Sequence, residues 1–276
     1  MLKPKKVIPG LGILLVALLT LNMPPIADAE SIVLDGLIEP YLVVKIGSPT
    51  VGILETVKVD RGDMVKAGQV LATLQSGVEK ATMELAQARA EMESAIKAKE
   101  SKLNYLLREQ KRMEHLQDQA LIAFEALDES RTNSSLARLD MEEASENKRL
   151  AELELKRSIE VVNRLTIYSP ITGVVTNRFL TPGEYVENQP ILQLAQINPL
   201  NVEVFAPVKL LGTIKVGMRA DISPEKPVSS VSRARVTIVD RVVDAASGTF
   251  GVRLELPNAQ GKLQAGLKCR VTFLRD

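Results

Sequence analysis

The chain of 276 residues contains no tryptophan, one histidine and one cysteine, and aromatic residues make up only 3% of it. With Cys269 as the only cysteine, an internal disulfide and a cysteine-based metal cluster are both excluded. His115 stands among charged residues, and we interpret it as a solvated side chain because a metal site would need further ligands. So few aromatic side chains also argue against a large small-molecule pocket. We therefore expect no cofactor and no bound metal.

Neither sign of charge is in excess. The chain has 35 Lys and Arg against 34 Asp and Glu, a formal net charge of +1. Residues 1–29 carry a net charge of +2, so the chain without them is close to −1. Nucleic-acid binding requires a basic face, and we expect no nucleic-acid partner. The sequence also shows no nucleophile–base pair and no phosphate-binding loop, so we expect a protein that is not an enzyme.

The first 29 residues have the pattern of a signal peptide. Three lysines within the first six residues precede an apolar run over residues 7–21, and small residues stand at Ala27 and Ala29. This order is typical of secretory signals, so we expect cleavage after Ala29 and a secreted protein. The alternative is an uncleaved anchor, although the run is short for a transmembrane helix of about 20 residues.

Residues 78–169 contain neither glycine nor proline and are rich in strong helix formers. Their apolar spacing predicts two antiparallel helices of about 40 residues, each about 60 Å long, with a turn near residues 119–127. Ile122 and Phe124 are apolar residues in this turn, and they either pack against the turn itself or contact a partner. The predicted contact positions are Ser134, Met141, Lys148, Leu155 and Val162 with Ala137, Ala144, Ala151, Ser158 and Leu165 in the second helix, and Val78, Leu85, Met92, Lys99, Leu106 and Met113 with Ala81, Ala88, Ala95 and Leu116 in the first.

Two short segments on either side of this stretch share one pattern. Gly52 and Gly62 are ten residues apart, and so are Gly173 and Gly183. In both segments a valine follows the second glycine by three residues, and an apolar pair follows it by eight and nine. We interpret the four glycines as turn positions in one β domain made of two matching halves, which the helices split.

Three phrases in the second half of the chain resemble a known family. They are residues 168–175 (YSPITGVV), 243–254 (VDAASGTFGVRL) and 263–271 (LQAGLKCRV). The first resembles the split lipoyl-type, or barrel-sandwich hybrid, domain of membrane fusion proteins, which are the periplasmic adaptors of Gram-negative export pumps. The other two resemble the β-barrel domain of the same family. The resemblance implies an elongated α+β protein of several domains, with a coiled-coil helical hairpin between the two lipoyl halves.

The resemblance also implies a division of the chain. The expected segments are a signal peptide at 1–29, an N-terminal strand joining the barrel at 30–45, lipoyl halves at 46–76 and 165–196, a helical hairpin at 77–164, and a β-barrel at 197–276. Many family members add a membrane-proximal domain built from both termini. We expect this chain to lack one, so that the barrel makes the main contact with the pump.

The hairpin tip of this family carries an arginine, a leucine four residues later and a serine eleven residues after the arginine. This chain has Arg112 and Leu116 at the first two places, Ala123 at the third, and Asp128 where the family often has aspartate. The resemblance therefore implies that these residues, with Phe124, dock on a partner. The alanine lacks the hydroxyl of the family's serine, so the third contact does not transfer directly.

The function that the resemblance implies is that of a non-catalytic adaptor in the periplasm, associated with the inner membrane. It would bridge an inner-membrane pump, of the resistance-nodulation-division or ABC type, to an outer-membrane TolC-like channel, and self-associate into a ring, with six copies expected. A carrier domain with a lipoylated lysine shares the β fold, but the hairpin that would present the lysine is replaced by the helices. The remaining alternative is a periplasmic module that binds a substrate or a metal and delivers it to an exporter.

Overall fold

The computed structural model describes residues 32–226 and 231–274, so the predicted signal peptide and its cleavage site lie outside the described residues. Among the helices that it describes, none is long and apolar enough to cross a membrane. The strands are β1 (Ile32–Ile46), β2 (Gly52–Val57), β3 (Met64–Val65), β4 (Val70–Leu74), β5 (Thr166–Tyr168), β6 (Gly173–Arg178), β7 (Tyr185–Val186), β8 (Leu192–Pro207), β9 (Arg219–Pro224), β10 (Ser232–Val239), β11 (Thr249–Leu256) and β12 (Lys268–Phe273). The helices are α1 (Gly77–Ala90), α2 (Ser94–Asp118) and α3 (Phe124–Arg164).

Two β units share the long strands β1 and β8, which pair antiparallel with each other. The first unit is a sandwich of short strands whose core includes Leu54, Leu71 and Leu192, all fully buried. The second is a barrel that closes in the order β1-β12-β9-β10-β11-β8 and back to β1. Its core includes Val204 and Phe250. Because β1 and β8 run through both units, the two cores are stacked along one pair of strands.

The two halves of the sandwich are related element by element, 121 residues apart. The strands β2 and β3 of the first half correspond to β6 and β7 of the second. Their backbones exchange equivalent hydrogen bonds, since the N–H of Gly62 donates to the carbonyl of Val175 (2.9 Å) and the N–H of Gly183 donates to the carbonyl of Leu54 (2.7 Å). The repeated pattern in the sequence therefore reflects a repeated structure with approximate two-fold symmetry.

The second glycine of each half lies in a turn, as predicted. Gly62 has a φ of 96° and Gly183 a φ of 94°, a region that residues with a Cβ rarely adopt. The turns are also tied alike, because Asp63 accepts the N–H of Asp60 and Glu184 accepts the N–H of the residue three positions before it.

The first glycine of each half opens a strand, β2 or β6, instead of lying in the predicted turn. A Cβ on Gly173 would lie 2.2 Å from the backbone oxygen of Ala195 in β8. A Cβ on Gly52 would lie 2.9 Å from a side-chain carbon of Leu74. These two positions require glycine for close approach and not for backbone conformation.

Between the halves, α1 and α2 form one helical arm and α3 forms the other, which runs antiparallel to the first. Ion pairs join the arms at successive heights. Asp140 pairs with Lys99 (3.1 Å) and Lys102 (3.2 Å), and nearer the turn Arg131 pairs with Glu114 (3.5 Å). The hydrogen bond from Lys99 and then that from Lys102 lower the pKa of Asp140 below its usual value.

The predicted contact positions within α3 are all buried or half-buried, as expected for a row that faces the first arm. Leu165 is the exception, because it follows α3 and is buried in the sandwich core instead. In the first arm the prediction is wrong for Val78 and Leu85 of α1 and for Met92, which follows α1, because all three are exposed. Ala86 and Ala90 are the buried residues of α1 instead. The predicted positions Ala81, Ala88 and Ala95 are exposed as well. The first arm is also interrupted between α1 and α2. This break shifts the phase of the inward-facing row by about one residue, which a single unbroken heptad could not describe.

Candidate functional site at the apex of the helical arms

The turn that joins the arms has an unusual backbone. α2 ends at Asp118, and Ala120 then adopts a left-handed conformation with a φ of 57°. Its N–H donates to the carbonyl of Gln117 (2.8 Å), and the N–H of Leu121 donates to the carbonyl of Leu116 (3.0 Å). This is a helix C-terminus closed by a left-handed residue, a position that usually carries glycine. The sequence signal for the turn was therefore absent although the geometry is an ordinary one.

Some apolar residues of the apex face inward, and others are exposed at its surface. Leu127 is buried and Ile122 is half-buried, so these two side chains pack within the apex. Leu121 and Phe124 are each 65% exposed. The two alternatives left open by the sequence thus apply to different residues. Ile122 stabilises the turn, and Phe124, with Leu121 beside it, forms an apolar surface at the end of the arms.

Residue 123 directly precedes α3. Ala123 occupies the N-cap position, with a ψ of 150°, and its side chain makes no capping hydrogen bond. A serine at an N-cap accepts a hydrogen bond from a backbone N–H of the first turn. The hydroxyl missing at this position would therefore act on the helix terminus even without a partner.

The remaining predicted residues flank this apolar surface. Arg112 is exposed and lies six residues before the end of α2, about 9 Å along the helix axis. Asp128 is exposed in the second turn of α3, and Leu116 is half-buried. The structure thus brings Leu116, Ala123 and Phe124 together at the apex and places Arg112 and Asp128 just below it on separate arms.

Polar contacts fix the two arms to each other directly below the apex. The buried hydroxyl of Ser134 in α3 donates to the side-chain oxygen of Gln110 in α2. The side-chain oxygen of Gln117 is buried without a hydrogen-bond partner. The sequence analysis included Ser134 among the contact positions but missed the two glutamines. Their only signal was their spacing along the helix.

Nothing among the described residues suggests a catalytic or metal centre. No group of three or more His, Cys, Asp or Glu side chains within residues 32–226 and 231–274 is arranged to hold a metal ion. Burial raises the pKa of the Cys269 thiol to about 11, so the thiol is protonated at neutral pH. The apex, with its exposed apolar residues and flanking charges, is therefore the candidate site, and its chemistry is that of a contact surface.

Two families of domains match the chain in succession. Residues 42–196 match the family described as CzcB-like, barrel-sandwich hybrid domain. Residues 200–276 match the family described as CusB-like, beta-barrel domain. The boundary between the two matches falls within β8, between the part of this strand that lies in the sandwich and the part that lies in the barrel.

Individual relatives and solved structures agree with these matches. The cation efflux system protein CzcB of Alcaligenes sp. (strain CT14) is 25% identical over 78% of this chain and 39% of its own length. The chain spans between 18% and 55% of the length of the curated relatives that it matches. MacA from Actinobacillus actinomycetemcomitans has the same fold, with a TM-score of 0.74 and 21% identity over 88% of this chain and 78% of that one. The membrane fusion protein Spr0693 from Streptococcus pneumoniae R6 aligns with a TM-score of 0.63 and 14% identity over 89% of this chain and all of that one.

Proposed function

Because the chain belongs to the family of membrane fusion proteins, also called periplasmic adaptors, we propose that it connects an inner-membrane transporter to an outer-membrane channel in an efflux or secretion pump. The proposed role is mechanical, and no covalent chemistry is assigned to the protein. The observation that carries the proposal is the apolar surface of Leu121 and Phe124 at the far end of two long helical arms.

The apex is proposed to dock on the periplasmic helices of the outer-membrane channel. Two helices of 25 and 41 residues lead to it, and α3 alone extends about 60 Å from the sandwich. Leu121 and Phe124 would supply apolar area to the contact, and Arg112 would supply a forked hydrogen-bond donor to carboxylates or carbonyls. The arms are proposed to act as a two-helix coiled coil that holds these groups at a fixed distance from the β units.

Self-association into a ring is part of the proposal, with six copies as the number that the family resemblance implies. The arms carry apolar side chains that are exposed. Leu136, Leu139, Leu150 and Leu153 of α3 are more than half exposed, and so are Val78, Leu85 and Met92 of the first arm. Rows of this kind on both arms suit contacts between neighbouring copies.

The first experiment replaces exposed apex residues and measures export. We expect Arg112→Asp and Phe124→Asp each to abolish export and crosslinking to the outer-membrane channel, without lowering the free energy of unfolding by more than about 0.5 kcal/mol. Leu116→Asp is also expected to abolish docking, but Leu116 is half-buried, so a loss of stability would accompany it.

Matched controls lie farther down the same arms. Tyr105→Asp changes an exposed aromatic residue of α2 away from the apex, and Arg149→Asp changes an exposed arginine of α3. Both controls should retain export. If Arg112→Asp and Phe124→Asp behave like these controls, the apex is not the docking site and the apolar residues there serve the turn alone.

Ala123→Ser tests the missing hydroxyl. The serine would cap α3, so we expect the helix to be stabilised by about 1 kcal/mol and docking to be unchanged or stronger. Weaker crosslinking to the channel at unchanged stability would show that the alanine methyl itself contacts the partner.

The alternative function, a periplasmic module that binds and delivers cargo, predicts saturable binding by the isolated protein. The name of the CzcB relative, a cation efflux system protein, makes divalent metal ions the first ligands to titrate. Stoichiometric, saturable binding of zinc or cobalt measured by calorimetry would favour the delivery module over the adaptor.

A further inference from the structure

The end of the β-barrel that lies farthest from the sandwich is formed by three adjacent chain segments. β8 runs from the sandwich core to Pro207, and the connection from residue 208 to residue 218 follows it. The β10–β11 turn over residues 240–248 lies beside this connection, because the N–H of Val208 donates to the carbonyl of Gly248 (3.0 Å). β1 begins at the same end, since Ile32 pairs with Phe273 near the end of β12.

The connection over residues 208–218 contributes one buried apolar side chain to the end of the barrel core. Other apolar side chains of the connection are exposed. Ile214 is buried in the barrel core. Val208, Leu211 and Val216 of the same segment are 49%, 50% and 64% exposed, and Val242 of the neighbouring turn is 81% exposed. Each of the two loops thus presents apolar side chains to the surroundings at the point where the barrel ends.

Basic residues stand directly beside these exposed apolar residues. Lys209 follows Val208, Lys215 precedes Val216, and Arg241 precedes Val242. All three basic side chains are exposed, and none has a carboxylate within ion-pair distance among the described residues. Apolar side chains interleaved with unpaired basic ones are the combination that binds anionic membrane surfaces, because the lipid headgroups attract the charges and the interface accepts the apolar groups.

Two acidic residues, Asp240 and Asp244, are exposed in the second of these loops. The carboxylate of Asp240 lies beside Gly251 of β11, where a Cβ on the glycine would meet it at 2.3 Å. Asp244 accepts the N–H of Ala246 (2.8 Å) within its own turn, and this hydrogen bond is the main cause of its lowered pKa. The three basic residues outnumber the two carboxylates, and both carboxylates lie against neighbouring groups of their own loop or strand, so the two loops together carry a net positive charge.

In the alternative in which residues 1–29 remain uncleaved, the connectivity of the chain also brings this end towards a membrane. The apolar run at residues 7–21 is separated from Ile32 by only ten residues, which reach at most about 35 Å when fully extended. The strand that follows the run, β1, enters the fold at the barrel end that carries the apolar and basic loops.

We propose that this end of the barrel binds the surface of an anionic lipid bilayer directly, through the loops over residues 208–216 and 240–248. The proposal rests on the periplasmic, membrane-associated location in the proposed function, but it assigns a lipid contact in addition to any contact with a transporter protein. Val242 and Val208 would enter the headgroup region, while Lys209, Lys215 and Arg241 would lie at the phosphate level.

The test uses the purified full-length protein and protein-free vesicles. Cys269 is buried and its thiol is protonated at neutral pH, so a Val242→Cys variant can be labelled selectively with an environment-sensitive fluorophore. We expect the emission to shift to the blue with vesicles of phosphatidylglycerol and phosphatidylcholine, and to shift little with phosphatidylcholine alone. A Gln260→Cys variant carries the label at the opposite end of the barrel and should show no shift.

A charge-reversal pair makes the result specific to the loops. Lys209→Glu combined with Arg241→Glu should weaken binding to the anionic vesicles by at least about 30-fold, since each basic residue at such a surface contributes about five-fold. The control Lys262→Glu, an exposed lysine near the other end, should bind as the parent does. An equal shift at Val242 and Gln260, or no effect of the charge reversal, would overturn the proposal.

A protein partner gives a different result. If the label at Val242 shifts only after the inner-membrane transporter is added to the vesicles, the loops bind protein and the lipid proposal fails while the adaptor function stands. The vesicle experiment contains neither the transporter nor the channel. Its outcome therefore does not depend on whether the apex variants lose export, and the two proposals can fail separately.

Discussion

The sandwich and the helical arms use the same chain to build two very different interiors. In the sandwich the fully buried residues are large and apolar, such as Leu54, Leu71 and Ile191. In the arms the buried residues are mostly small, such as Ala137 and Ser134. Burial of large apolar side chains stabilises the sandwich, whereas the arms depend on helix propensity, on polar contacts and on their terminations. The comparison indicates that the sandwich can fold without the arms, while their shape depends on local details.

The sharpest way to break the sandwich is at one of its paired glycines. Gly173→Ala should destabilise the protein by about 3 kcal/mol, because the new Cβ meets the backbone of Ala195, which cannot move aside. At the equivalent position, Gly52→Ala should cost only about 1 kcal/mol, because it meets the end of a leucine side chain. Urea unfolding measures both values.

Gly77→Ala is the matched control for this pair. Gly77 is exposed at the first residue of α1, and nothing lies within 4 Å of its added Cβ. This change should leave stability unchanged or raise it slightly. Equal losses of stability at Gly52 and Gly173 would show that the two halves are equivalent in energy as well as in topology.

Excision of the arms tests whether the sandwich is independent. Replacing residues 77–164 by a tight turn should remove most of the far-ultraviolet helix signal and leave a cooperative unfolding transition of the β units. The excision must stop before Leu165, because this residue is buried in the sandwich core and its carbonyl accepts the N–H of Leu74 (2.9 Å). Extending the deletion to residue 165 should lower the free energy of unfolding by about 2–4 kcal/mol more. Aggregation of the shorter deletion would show that the arms belong to the folding core.

One unfavourable backbone conformation at the apex lowers the stability of the arms. Ala120 holds a left-handed conformation that is unfavourable for any residue with a Cβ. Ala120→Gly should therefore stabilise the arms by about 1 kcal/mol, measured as a higher melting temperature at 222 nm. Ala126→Gly, in the first turn of α3, should lower stability by about the same amount. A loss of stability in the Ala120 variant would contradict the strain that we infer there.

The smallest expected effect concerns the ion pairs between the arms. The pKa of Asp140 is held below its ordinary value of 3.8 by Lys99 first and then by Lys102, so its contribution to stability is present above that pH and is lost as the pH falls below it. Asp140→Asn should slightly lower the melting temperature of the helices at about pH 7. The variant and the parent should melt alike at about pH 2. A difference that persists in acid would indicate that the substitution acts through packing.

Much of the sandwich could be predicted because its pattern occurs twice. The equal spacing from Gly52 to Gly62 and from Gly173 to Gly183 has no simple cause except a repeated structure, and the reciprocal hydrogen bonds are consistent with that interpretation. The second arm was predictable for a related reason. Its predicted row keeps one heptad from Ser134 to Val162, and this row is the one that is buried or half-buried.

The first arm and the apex were harder to predict. The first arm carries a second row with heptad spacing, which includes Val78, Leu85 and Met92. This row is exposed. Spacing alone cannot tell a row that packs within the chain from one that faces outward. At the apex, alanine at position 120 gives no turn signal, so the division between inward Ile122 and outward Phe124 could not be foreseen.

The sequence by itself determined the order of the elements, the symmetry of the sandwich and the contact face of α3. Each of these depends on the spacing of residues along the chain and on the backbone conformations that glycine can adopt. Only the tertiary structure decided which row of α1 faces its partner, which apolar residues of the apex are exposed, and that the loops at 208–216 and 240–248 meet at one end of the barrel. These features depend on contacts between residues far apart in the chain, and the order of residues along a helix or loop does not specify them.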